Sequence, residues 1–156
     1  IAQFLHPQMG YKYAQTKNAS DLWPYFKVIT IWMPICLIPM AVIGVAFCPY
    51  VISNFFPEYN ESIIPICIMI IGFMFSTTFY TRGFLIMIKS YQLVILLELM
   101  DMLLFAGLPA LLIILYRDYI LIAMSAGLSI GYIISYFLNI IIVKKEIFKE
   151  KYNANK

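Results

Sequence analysis

From residue 28 onward the apolar positions of this chain neither alternate nor recur on one face. They run nearly unbroken, and the polar positions fall in short clusters between the runs. A helix that crosses a bilayer needs about 20 predominantly apolar residues. Four stretches reach that length, 28–52, 63–88, 93–115 and 119–143, and they predict an all-α integral membrane protein: an antiparallel bundle with four complete spans. Residues 1–27 read as the end of a preceding span followed by a polar loop, and 144–156 as a basic tail. The chain is accordingly expected to be the C-terminal part of a longer protein. The connections Lys89-Ser90-Tyr91 and Tyr116-Arg117-Asp118 are short enough to predict spans two, three and four as antiparallel neighbours. Proline punctuates the runs. Pro65 stands near the start of the second span, where a missing N–H costs nothing. Pro34, Pro39 and Pro109 lie inside the first and third spans, where each removes an intrahelical hydrogen bond and predicts a kink.

Composition sharpens this picture. Of 156 residues, 63% are apolar and 12% charged, against about 45–50% and 25% in soluble domains. A water-soluble globule and a disordered chain are both excluded. A net charge of +3, with acidic residues interleaved, gives no argument for a nucleic-acid partner. The basic residues instead report orientation. Lys12, Lys17, Lys27, Arg82, Lys89, Lys144, Lys145, Lys149, Lys151 and Lys156 fall on one side of the predicted spans, and of the 11 basic residues only Arg117 falls on the other, beside Glu58, Glu61 and Asp118. The positive-inside tendency makes the first side cytoplasmic, the C-terminus included, and places residues 53–62 and 116–118 outside. These short loops leave no room for a soluble catalytic domain. Cys36, Cys48 and Cys67 are odd in number and lie in apolar runs, so they read as small buried hydrophobes, not as a disulfide or zinc framework. His6 stands alone. With no Ser/His/Asp set and no Gly-rich phosphate loop, the sequence argues for no metal site, no resident cofactor and no enzymatic chemistry.

The informative residues are polar ones inside the runs. Glu98 and Asp101 lie roughly 10–16 Å into the third span at 1.5 Å per residue, where a carboxylate costs about 2.5–3.5 kcal/mol and needs a cavity, a partner or a proton. Their spacing of three puts both on one helix face. Arg82 precedes residue 90 by as many positions as Glu98 follows it, so a symmetric hairpin brings the two to the same depth. On this reading Arg82 approaches Glu98, and Asp101, a turn deeper, faces a cavity where it meets the hydroxyl groups of a ligand or a coupling proton or sodium ion. The bland reading is an interhelical ion pair that only holds the bundle together. Ser76, Thr77, Thr78, Tyr80 and Thr81 make the inner half of the second span rich in hydroxyls, and Ser76 and Tyr80 join the candidate pathway, although membrane helices often tie such groups to backbone. On the last span Ala123, Gly127, Gly131 and Ser135 recur every four residues, a pattern that lets another helix approach closely. Aromatic residues gather at the predicted interfaces, where a membrane belt explains them better than carbohydrate stacking.

Several of these marks occur together: Pro7-Gln8-Met9-Gly10-Tyr11 after a span end, a polar loop, a Pro-broken span, Phe55-Phe56-Pro57-Glu58-Tyr59 leading into the next span, and the basic turn at Lys89. In this combination the chain resembles the C-terminal part of bacterial polysaccharide (O-antigen) flippases, the Wzx-like branch of the multidrug/oligosaccharidyl-lipid/polysaccharide exporter superfamily. It departs from that pattern where the last span opens with Tyr119-Ile-Leu-Ile-Ala123. The resemblance implies a larger two-lobed, all-helical transporter of the bacterial cytoplasmic membrane, of which these spans form most of one lobe and a missing N-terminal half of the same polypeptide the other. Its implied cargo is an undecaprenyl-pyrophosphate-linked oligosaccharide, carried across by alternating access for surface polysaccharide assembly, with the planar guanidinium of Arg82 suited to the pyrophosphate. Two other readings compete, a cation-coupled multidrug exporter of the same superfamily and an integral-membrane enzyme of polysaccharide assembly. Arg82 inside a span favours the flippase over the drug exporter, and the short loops disfavour the enzyme. A scaffold without transport is disfavoured by Glu98 and Asp101.

Overall fold

The computed structural model describes residues 2–76 and 78–154, with side chains described for 7–76 and 81–147. Every regular element among these residues is helical. Helix α1 spans Ala2–Thr16 and carries Pro7 inside it. What the sequence suggested as a loop is therefore largely helix, and the chain reverses over Lys17 and Asn18 alone. Lys17 takes the left-handed conformation there, with φ 50°, and Asn18 Oδ1 accepts from Ser20 N at 3.1 Å and Ser20 Oγ at 2.8 Å, starting the next helix. Helix α2 runs Ala19–Phe55, 37 residues. It opens with a 3₁₀ turn and widens into a π-helical turn over Val28–Trp32.

That wide turn has a sequence cause. Pro34 offers no N–H to the carbonyl four residues earlier, and its ring crowds that carbonyl. The carbonyl belongs to Thr30, inside the π turn, and it accepts a bond from the Tyr136 hydroxyl at 2.7 Å. Pro109 repeats the pattern: helix α5, Tyr91–Leu115, widens into a π turn over Leu103–Gly107 immediately before it. The expected irregularities at Pro34 and Pro109 thus take the form of widened turns. Pro49 likewise strips the Val45 carbonyl of its helical donor, and Cys67 Sγ approaches that oxygen at 4.0 Å.

Between α2 and α5 the structure departs from the predicted pattern. The stretch 63–88, expected as one span, is two shorter helices, α3 (Ile63–Phe73) and α4 (Thr78–Met87). Helix α3 ends in a turn in which Phe75 N donates to Gly72 O at 3.0 Å and Ser76 N to Phe73 O at 3.1 Å. The sequence Ser76-Thr77-Thr78 supplies the reason, because hydroxyl and β-branched side chains weaken a helix interior and compete for its backbone. Helix α4 closes with Ser90 N donating to Leu85 O (2.9 Å) and Lys89 N to Ile86 O (3.0 Å), while Lys89 holds φ 60°. This is a Schellman ending with lysine in the position usually given to glycine.

Helix α6, Ile120–Ala154, continues through Lys144 and Lys145, so most of the expected tail extends the last helix. It lies between the other helices. On one side α5 runs antiparallel to it, pairing Pro109 with Gly127, Phe105 with Gly131 and Asp101 with Ser135. On the other, α3 runs parallel, pairing Ile68 and Gly72 with Ser129. The expected neighbours, spans two and three, meet mainly near their connecting turn, because α6 takes the place between them. At the end where α1, α2, α4 and α5 converge on α6, a closed cluster forms from Met9, Ala19, Leu22, Phe26, Ile29, Phe84, Leu85, Ile88, Leu97, Val143 and Ile147. Elsewhere large apolar side chains such as Met40, Phe47, Met102 and Leu103 point outward. Three helices, Ala19–Phe55, Tyr91–Leu115 and Arg117–Ile147, are long and apolar enough to cross a membrane.

Candidate functional site

Three helices bring polar groups together where the surrounding sequence is apolar. Helix α4 supplies Arg82, α5 supplies Glu98 and Asp101, and α6 supplies Ser135 and Asn139. The Schellman turn at Lys89 folds α4 back onto α5, so residues equally far from it meet: Arg82 Nε lies 3.0 Å from Glu98 Oε1. The contact is an ion pair without the alignment of a hydrogen bond. The hydrogen bond of Arg82 goes a turn deeper, from Nη2 to Asp101 Oδ2. Side chains of a helix lean toward its N-terminus, which on α5 carries the Asp101 carboxylate back toward Arg82. Asp101 is 4% exposed. Its other oxygen, Oδ1, accepts from the Ser135 hydroxyl, and Asn139 Nδ2 in turn donates to Ser135 Oγ at 3.2 Å and to Ser135 O at 2.7 Å.

The sequence expectation that Asp101 stands free toward a cavity is therefore modified. Its carboxylate is engaged on both oxygens and enclosed by protein. Glu98, expected as the principal partner of Arg82, is the outer member, its side chain 55% exposed against 18% for Arg82 and 6% for Asp101. Ser76 is half-buried at the end of the α3 turn and is not part of this cluster. The side chain of Tyr80 lies outside the described residues. Thr81, beside Arg82, is fully buried, and its hydroxyl has no hydrogen-bond partner among the described residues.

The small-residue stripe of α6 packs against α5 at Gly127, Gly131 and Ser135. Ala123 is buried, and a Cβ on Gly127 would stand 2.6 Å from Pro109 Cα, backbone against backbone. A Cβ on Gly131 would meet Phe105 at 3.1 Å. Ser135, the last member, is also the residue that holds Asp101, so stripe and ion cluster form one interface. Sequence reasoning missed a second stripe on the far face of α6. There Ser129 Oγ donates to Ile68 O at 2.9 Å, Ser125 Oγ to Ile122 O at 3.0 Å, and a Cβ on Gly72 would stand 2.6 Å from Ser129 Cα. The signal was present, since Ser125 and Ser129 are also four apart. The contact of Tyr136 with Thr30 was missed as well, although Pro34 marks the Thr30 carbonyl as one in need of a donor.

Beside the turns that lead into α3 and α6, a cleft of about 510 Å³ opens, lined by Glu61, Arg117, Asp118 and Tyr119 among others. Among the described residues no group of three or more His, Cys, Asp or Glu is placed to hold a metal ion. An ion pair buried among apolar helices can do two things chemically. It can fix the helices in one arrangement, or, if its helices separate, present a guanidinium to an anion and a carboxylate to a cation or a hydroxyl-rich ligand. No protein-family model matches this chain, and neither a curated protein nor a solved structure is significantly similar to it.

Proposed function

We propose that this chain forms the C-terminal membrane part of a transporter that flips a lipid-linked oligosaccharide across a bacterial cytoplasmic membrane by alternating access, with its C-terminus in the cytoplasm. The observation that carries the reading is the cluster of Arg82, Asp101, Glu98 and Ser135. Charge set this deep in apolar helices is expensive, and intramembrane ionisable residues generally mark substrate or ion pathways. The break between α3 and α4 lies a few residues before Arg82 and supplies a place where the second span can bend, as discontinuous helices do in other transporters. In this reading α3 and α4 together make the fourth crossing, and the exposed apolar faces meet lipid and the remaining lobe. When the lobes rock, Arg82 leaves Asp101 and engages the diphosphate, while the carboxylates meet sugar hydroxyls or a coupling proton or sodium ion. No resident cofactor takes part.

The test is complementation of a bacterial strain that lacks its own flippase, using the full-length protein. Asp101→Asn and Arg82→Gln are expected to cut surface polysaccharide at least tenfold while membrane protein levels stay measurable. Full export by both variants overturns the proposal. The excess of carboxylates over guanidinium also favours a second reading, export of lipophilic cations. It would show as energised efflux of a cationic dye that requires Glu98 or Asp101 and is indifferent to lipid-linked oligosaccharide.

A further inference from the structure

The cluster does not balance. Asp101 accepts from Arg82 on one oxygen and from Ser135 on the other, and Asn139 in turn donates to Ser135. That leaves Glu98, whose contact with Arg82 is an unaligned approach from one side and whose other side is open. Glu98 lies seven residues past Tyr91, about 10 Å along the helix, deeper than a lipid headgroup. The neighbours sharing its outward face, Ile95, Leu99 and Met102, are all strongly exposed and apolar. The predicted spans 28–52, 63–88, 93–115 and 119–143 contain no charged residue besides Arg82, Glu98 and Asp101. No other charge in them is available to compensate Glu98, and a carboxyl group in hydrocarbon needs hydrogen-bond partners in either protonation state.

We infer that the Ile95, Glu98, Met102 face of α5 is a docking surface for a further transmembrane helix that carries a basic side chain at the depth of Glu98. The cluster's charge, two carboxylates against one guanidinium, selects that occupant. A second copy of this chain fits poorly. A two-fold pairing through this face sets Glu98 against its own counterpart, and like charges facing each other oppose assembly. Lipid offers no donor at this depth. The inference requires only that α5 crosses the bilayer, so it stands or falls independently of the cargo proposed above.

The test reconstitutes the full chain in lipid vesicles and follows energy transfer to two synthetic oligoleucine helices. One carries a single arginine at the depth of Glu98, and the other is all leucine. The arginine helix is expected to bind at least about tenfold more tightly, and Glu98→Gln is expected to erase the difference. Ile95→Trp, a steric block that leaves the ion cluster intact, is expected to weaken binding of the arginine helix, which keeps the result interpretable if Glu98→Gln folds poorly. Equal binding of both helices overturns the inference. So does a preference that survives Glu98→Gln, or self-association of the chain that competes with the arginine helix for this face.

Discussion

Asp101 owes its ionic bond to reach as well as to depth. Counting residues from the Lys89 turn places Arg82 level with Glu98, and the structure keeps that contact, so the meeting of α4 with α5 was legible in the sequence. What counting omits is the lean of side chains along a helix, which draws Asp101 back toward Arg82, and the donor that α6 brings from outside the hairpin. Ser135 was noticed for its small size, yet its hydroxyl holds the carboxylate. Removing one partner of a buried pair costs more than removing both. Asp101→Asn is therefore expected to destabilise the protein by about 3–5 kcal/mol, read by denaturation in mixed micelles. The triple change Arg82→Leu, Glu98→Leu and Asp101→Leu, which leaves no charge unpaired, should recover most of that loss. Ser135→Ala, which removes one hydrogen bond in a membrane interior, should cost only about 0.6–1.7 kcal/mol.

At the scale of the helices, glycines and prolines set the packing. A side chain on Gly127 collides with the Pro109 backbone and one on Gly72 with the Ser129 backbone, whereas a side chain on Gly107 meets nothing within 4 Å. Gly127→Ala and Gly72→Ala are each expected to cost about 1–3 kcal/mol by forcing helices apart, and Gly107→Ala to leave the melting temperature of the purified protein unchanged. Tyr136→Phe should cost about 1 kcal/mol by stranding the Thr30 carbonyl. In a Pro34→Ala background, where residue 34 regains an N–H for that carbonyl, the penalty should shrink, and a double-mutant cycle measures the difference. The π turn of α5 adds a phase effect. A π turn closes i→i+5 bonds and so holds more residues than an α turn, which keeps Asp101, Phe105 and Pro109, spaced by four, on one face toward the stripe of α6. Deleting one residue from Leu103–Gly107 should turn Pro109 away from Gly127 and disrupt the interface. A wheel drawn at a uniform 100° per residue does not reveal this, which is why the stripe was legible on regular α6 and its counterpart on α5 was not.

For the whole molecule, the apolar runs announced helices long enough to cross a membrane, and the distribution of lysine announced which ends lie together. The order of neighbours was not legible, because short connections report only which helices are joined, while the two small-residue stripes decided that α6 stands between α3 and α5. The basic end and the acidic loops should face opposite sides of the membrane. In a cysteine-free background, a cysteine at residue 60 is expected to react with an impermeant thiol reagent added outside intact cells, and one at residue 145 only after permeabilisation. The reverse labelling overturns the orientation. The central place of α6 also bears on biosynthesis. Helices α2 to α5 leave the ribosome before the 35-residue helix against which most of them pack, and at 5–20 residues per second its synthesis takes roughly 2–7 s. During that interval Arg82 and Asp101 have each other but not Ser135, and Gly72 and Pro109 have no helix to meet. On this order of synthesis the earlier helices lack the neighbour that most of them pack against, and α6, made after them, completes the packing.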